Sequence, residues 1–239
     1  MMKTLYAVLT AIALLILVDL PARGVVAALG ASLSAAPWWV KPLVRQGIEL
    51  LIALLAISTI WSGEFGRFGF RFSGDLKIWK SILVSLPLFL VSLIVGGIFA
   101  SLIMAIAGPT PSYDFGNMNL LQQIVKVWIL ASIAEEIVFR GLIQTYLSSR
   151  VLGSLSFFRL RISHATVIAA LMFSLAHFFL LTKGAGAAQM AMIALSTFIL
   201  GAAAGYFRET TGSLAPAIVV HMLFNVWGSG LQLIVPGAS

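Results

Sequence analysis

The sequence predicts an all-α fold, a polytopic bundle of about seven transmembrane helices (six to eight), and three observations predict it. The 239 residues are 60% hydrophobic and 10% charged, with a mean hydropathy of +1.05, too apolar for a soluble domain of this length. Seven apolar runs come close to the roughly 20 residues that a helix needs to cross a hydrocarbon core about 30 Å thick. The short alternating strands and frequent turns of a closed barrel are absent from the sequence.

The first run, Leu5 to Leu20, follows Lys3. Small residues near Ala28 to Ala36 also make this start compatible with a signal peptide. Pro21 to Pro42 is either a broken continuation of the first helix or an interfacial segment that sets Trp38 and Trp39 at headgroup level. The second run, Leu43 to Trp61, ends at a basic loop, Ser62 to Lys77, rich in Gly and Phe. Ile78 to Ala107 is the third, closed by the loop Gly108 to Asn119 with its two prolines. Leu120 to Ser149, His164 to Leu181, Ala187 to Phe207 and Leu214 to Val235 complete the set. In the sixth, Gly201-A-A-A-Gly205 has the small-xxx-small spacing that lets a second helix approach closely. No low-complexity tract or internal repeat divides the chain, so residues 1–239 read as a single integral membrane domain.

The net charge of +7 does not signal nucleic acid, because the basic residues are spread over membrane loops instead of gathered on one element. They set topology. With the N-terminus in the cytoplasm, Lys3, Arg67, Arg71, Lys77, Lys80, Arg150, Arg159, Arg161 and Arg208 fall on inner flanks, against Arg23, Lys41, Arg45 and Lys183 outside. The bias places the N-terminus inside and the C-terminus outside. The chain contains no cysteine, which removes disulfides, thiol nucleophiles and cysteine metal ligands.

Three charges interrupt the fourth run, in I-L-A-S-I-A-E-E-I-V-F-R-G-L-I (Ile129 to Ile143). Glu136 and Arg140, four apart, share a helix face as an ion pair with the acid on the favourable N-terminal side. Glu135 is five from Arg140, about 140° round an α-helix, and has no local partner. An unpaired ionisable group in a membrane helix costs about 2.5 to 3.5 kcal/mol, so it faces a water-filled cavity or partners on other helices. Candidate partners are His177 in Phe173-S-L-A-His177, and His221 with Asn225 in His221-M-L-F-Asn225. At about 1.5 Å per residue, Glu135, His177 and Asn225 lie roughly 22, 20 and 18 Å from the inner ends of their helices, the same depth to about a turn. His164 begins its helix and reads as interfacial. A buried carboxylate, two imidazoles and an amide suit hydrolysis of a peptide bond without a covalent intermediate. In that chemistry Glu135 takes a proton from water, His177 holds the water and passes the proton on, and His221 and Asn225 donate to the oxyanion.

Glu135-E-I-V-F-Arg140, Phe173-S-L-A-His177 and His221-M-L-F-Asn225, in that order, resemble the three motifs of the CPBP family, the CAAX-protease and bacteriocin-processing (Abi) intramembrane endopeptidases. Gly201 to Leu214 is similar to the linker that precedes the last motif. The resemblance spans residues 129–227, the motif-bearing core, and the N-terminal half carries no recognised motif. It implies that Glu135 is the catalytic glutamate, that Glu136 and Arg140 are structural, with Phe173 supporting, and that His177, His221 and Asn225 complete the site. It also implies a protein or peptide substrate at the membrane, in some relatives an isoprenylated one.

A metal-free glutamate mechanism is favoured over one in which zinc or another divalent ion sits on Glu135, His177 and His221. The H-E-x-x-H helix is absent, and a water held by three ligands still wants a separate base. Two non-catalytic readings stand beside the enzyme: a membrane scaffold of the same fold, and a proton-coupled transporter, against which stands the lack of an inverted repeat of broken helices.

Overall fold

The computed structural model describes residues 2–113, 118–157 and 160–234. Arg159, Val235 and the C-terminal Ser239, which figure in the expectations above, lie outside the described residues. Each of the seven runs is a helix, with most ends within about one turn of those expected. The helices are α1 (Met2–Ala28), the short α2 (Gly30–Ala35), α3 (Val40–Ile60), α4 (Ile78–Ala107), α5 (120–148), α6 (His164–Ala176, extended by a 3-10 segment His177–Lys183), α7 (Ala187–Thr211) and α8 (Ala215–Ile234). Among the described residues five of them, α1, α3, α4, α6 with its extension, and α7, are long and apolar enough by themselves to cross a membrane.

The stretch after Pro21 is a continuation of the first helix, because α1 runs through Pro21 to Ala28 and places Ala7, Ala11, Leu14, Val18 and Ala22 in one buried stripe. Proline inside a helix removes one backbone bond, a loss that neighbouring helices in a membrane bundle tolerate. Between α5 and α6 a small antiparallel hairpin appears, β1 (Ser154–Phe157) against β2 (Leu160–Ser163), with Ser154 opposite Ser163. Its alternating Ser-Leu-Ser-Phe and Leu-Arg-Ile-Ser suit a strand pair, and it leaves the fold class all-α.

Helix α5 is the central element. It packs against α1 and α3 on one side and α6, α7 and α8 on the other, while α4 covers α7 and α8 from outside. It is not a plain α-helix: residues Gln123–Ala131 and Ile137–Gln144 are wide π turns flanking a short α segment, Ser132–Glu136. In a π turn each amide bonds to the carbonyl five residues back, and Thr145 Oγ1 donates to the Arg140 carbonyl across that same interval at 3.3 Å. Such turns are frequent at functional sites, and here they bracket both glutamates.

The small-xxx-small pair of α7 works as a packing seam. A methyl on Gly205 would lie 2.5 Å from Thr166 Cγ2 and 3.0 Å from Gln144 Oε1, and one on Gly201 would lie 3.0 Å from Ala170 and from an Arg140 nitrogen. Gly97 on α4, by contrast, has open space around it. Gly205→Ala should therefore destabilise by about 1 to 3 kcal/mol through overpacking. Gly97→Ala should leave the thermal midpoint unchanged or raise it, because alanine is the better helix former. Melting both purified variants in one detergent checks the contrast.

Candidate active site

The neighbouring glutamates occupy opposite environments. The Glu136 side chain is completely buried, whereas that of Glu135 keeps 32% of its surface exposed. Arg140 Nη1 lies 2.9 Å from Glu136 Oε1, with both side chains at zero exposure. The contact is one of charge more than of alignment, since none of the three guanidinium nitrogens makes a well-directed hydrogen bond. The guanidinium instead lies over the Phe173 ring, 4.5 Å from its centroid, where the negative face of the ring adds attraction.

The same carboxylate oxygen, Glu136 Oε1, also takes a hydrogen bond of 2.7 Å from His221 Nδ1. An ionised carboxylate can only accept, so Nδ1 carries the proton and the opposite nitrogen is turned towards Glu135, with Nε2 3.7 Å from Glu135 Oε2. That distance exceeds a direct hydrogen bond and suits a bridging water. His177 is held in a similar way. It stands where α6 gives way to the 3-10 segment, and its Nδ1 donates to the Phe173 carbonyl at 2.9 Å, leaving Nε2 free. Phe173 lies edge-on to both imidazoles, 5.0 Å from His177 and 5.6 Å from His221, and 5.0 Å from Phe139.

A cavity of about 240 Å³ opens onto Glu135 and His177, with Phe139 and Phe173 on the same wall. His221 stands behind Glu135 and does not line it. Asn225 is also set back. Its amide Nδ2 donates to the Val127 carbonyl and to Ser132 Oγ, both at 3.0 Å, which ties α8 to the first π turn of α5. Both donors are engaged, so Asn225 reaches an oxyanion only by releasing one of them. His164 caps the hairpin, its Nδ1 3.1 Å from the Leu152 carbonyl, away from the cavity.

The opposite wall belongs to the N-terminal half. Asp19 and Arg23 of α1 and Arg45, Gln46 and Glu49 of α3 line the same space. Asp19 pairs with Arg23 and, at 3.4 Å, with Arg45, whose Nε also bonds Glu49 at 2.9 Å. Arg23 and Arg45 thus sit beside acids, within the last turns of α1 and the first turns of α3. The signal for this wall was available: Asp19 and Arg23, at the end of the first apolar run, and Arg45 and Glu49, inside the second, are four apart, the same pattern that singled out Glu136 and Arg140. Ser132 offered no such signal, because its role depends on the approach of Asn225 from another helix.

Among the described residues no three His, Asp or Glu side chains converge as an ion requires. His177 and His221 each engage Nδ1 and keep Nε2 available, as metal-ligating imidazoles also do, and the steps below are derived from the side chains alone.

Fold and site define an integral, multi-pass membrane protein in which a carboxylate–imidazole cluster faces an internal cavity. Residues 117–227 match the family model described as type II CAAX prenyl endopeptidase, Rce1-like, a family of proteases. The resemblance carried by the three motifs therefore stands, and that segment is similar to the CAAX-protease family. No curated protein and no solved structure matches the chain.

Arg140→Ala should strand the Glu136 charge at zero exposure and cost about 3 to 5 kcal/mol. Lower accumulation in membranes and a lower melting temperature, compared with wild type in parallel preparations, are the expected results; wild-type values of both would refute the structural role of the pair.

Proposed function

We propose that the protein is an intramembrane endopeptidase that hydrolyses a peptide bond of a membrane-associated or lipidated protein, with Glu135 as the base. The observation that carries this reading is the separation of the two glutamates. Glu136 is neutralised by Arg140 and orients His221, whereas Glu135 has only the cavity and the far nitrogen of His221 before it. A water between Glu135 and His221 Nε2 gives its proton to Glu135, and the resulting hydroxide adds to the scissile carbonyl. Glu135 shares that proton with His221 Nε2, and the N–H so formed, on an imidazole held for that task by Glu136, donates to the oxyanion before the proton returns. His177 Nε2 completes the water's coordination and relays the proton from Glu135 to the departing amine, so the water's two hydrogens end on the new amine and the new acid. Asn225 assists either as a second oxyanion donor or by holding α8 against α5 through Val127 and Ser132.

The substrate class follows from the setting. A cavity walled partly by apolar side chains and partly by the charges of α1 and α3 receives a peptide already at the membrane, consistent with the family match. The orientation belongs to the same proposal: N-terminus and hairpin in the cytoplasm, C-terminus outside. A single cysteine at Ser156, in a chain with no other, should react with an impermeant reagent only from the cytoplasmic side.

Glu135→Gln keeps the shape of the side chain and removes the base. It should fold and melt as wild type while turnover falls by about 10²- to 10⁴-fold. Proteolysis of a membrane-anchored peptide by the purified protein measures it. Retained activity would remove Glu135 from the mechanism, and absence of any proteolysis in the wild type across prenylated and unmodified peptides would favour the scaffold or transporter readings.

A further inference from the structure

A second cavity, of about 340 Å³, lies at the other end of α5, outside the site described above. It is lined by the last turn of α5 (Gln144, Thr145, Ser148), the cap of α6 (Ser163), the last turn of α7 (Arg208, Glu209) and Arg67 of the loop between α3 and α4. Arg208 is 92% buried, at 8% exposure, yet no carboxylate lies within 4 Å of it among the described residues. Its Nη2 donates to the Arg67 carbonyl at 2.6 Å and to Thr145 Oγ1 at 3.1 Å, and its Nε is buried without a partner. The charged side chain whose field reaches it is another cation, Arg71.

The acids nearby are committed elsewhere. Glu209 accepts from Thr166 Oγ1 at 2.7 Å and from the Ser163 amide at 3.3 Å, and Glu64 pairs with Arg67 at 3.2 Å. A buried cation beside a second cation, with no counter-ion, is costly unless an anion is supplied from outside. Hydroxyls of Thr145, Ser148 and Ser163 line the same space; they now donate to the Arg140 carbonyl, the Thr145 carbonyl and Thr166 Oγ1, and as rotors they can turn to phosphate oxygens beside the guanidinium groups.

We propose that this cavity binds a phosphate group, with Arg208 and Arg67 supplying the charge and the serine and threonine hydroxyls the remaining hydrogen bonds. The surroundings suit the headgroup of an anionic phospholipid. Phe72 and Leu152 are exposed at this end of the bundle near Arg71 and Arg150, the combination of apolar and basic side chains that meets an anionic lipid surface. The site does not depend on the proteolytic reading.

The test is thermal unfolding of the purified full chain in a neutral detergent. Phosphatidylglycerol, a phosphate-free glycolipid and inorganic phosphate are titrated separately, with chloride holding ionic strength constant. Phosphatidylglycerol should raise the melting temperature and the glycolipid should not. Inorganic phosphate distinguishes the sources: competition with phosphatidylglycerol marks a site for the phosphate alone, and lack of competition one that also needs the acyl chains. Arg208→Gln also unpins the Arg67 loop, so two milder variants decide the case. Arg67→Gln and Ser148→Asp should each weaken the apparent affinity by about tenfold or more. Ser148→Asp should also melt higher than wild type without any lipid, its carboxylate taking the place of the anion. Arg161→Gln, at the same end but outside the cavity, should respond as wild type. No stabilisation by either phosphatidylglycerol or phosphate would overturn the proposal, as would equal losses in Arg161→Gln and the cavity variants.

Discussion

One carboxylate oxygen, Glu136 Oε1, holds the site together. It meets Arg140 Nη1 at 2.9 Å and His221 Nδ1 at 2.7 Å, and the glutamate and arginine are wholly excluded from solvent. Two charges without water are tolerable only when each answers the other, and Phe173 provides a further attractive face for the guanidinium. The oxygen also joins α5 to α8, and Phe173 brings α6 to the same point. His221 is thereby fixed in one tautomer and one direction. Glu135, adjacent in sequence, is left with the cavity because its neighbour has taken the internal partners.

The π turns of α5 belong to the same constraint. A plain α-helix repeats its faces every 3.6 residues, whereas the wider turns shift the register before and after Ser132–Glu136. This lets the first π turn offer the Val127 carbonyl to Asn225 and the second carry Arg140 and Gln144 into the seam with α7. The glycines of that seam admit Arg140 and Gln144 where any larger residue would collide. One irregular helix therefore carries both glutamates and half of the packing seam.

The site is also divided by origin. The segment that matches the protease family supplies Glu135, Glu136, Arg140, Phe173, His177, His221 and Asn225, all between residues 117 and 227. The facing wall, Asp19, Arg23, Arg45, Gln46 and Glu49, lies outside the match and closes the cavity with a paired set of charges. Whatever enters the cavity meets both walls, one of them on helices that carry no family motif.

The helical class, the seven runs and their approximate ends were determined by the sequence alone, because the length and apolarity that a membrane demands are local properties of the chain. The Glu136–Arg140 pair was equally legible, since four residues on a helix always share a face. The phase of α5, the bond from Glu136 to His221, the attachment of Asn225 to Val127 and Ser132, and the placing of the charged pairs of α1 and α3 opposite Glu135 were decided only by the tertiary structure. Each depends on how one helix is rotated and raised against another 85 or more residues away, or on a π turn whose extra residue leaves no mark in composition. Spacing along one helix fixes which side chains are neighbours on it; which helix those side chains face is settled by packing.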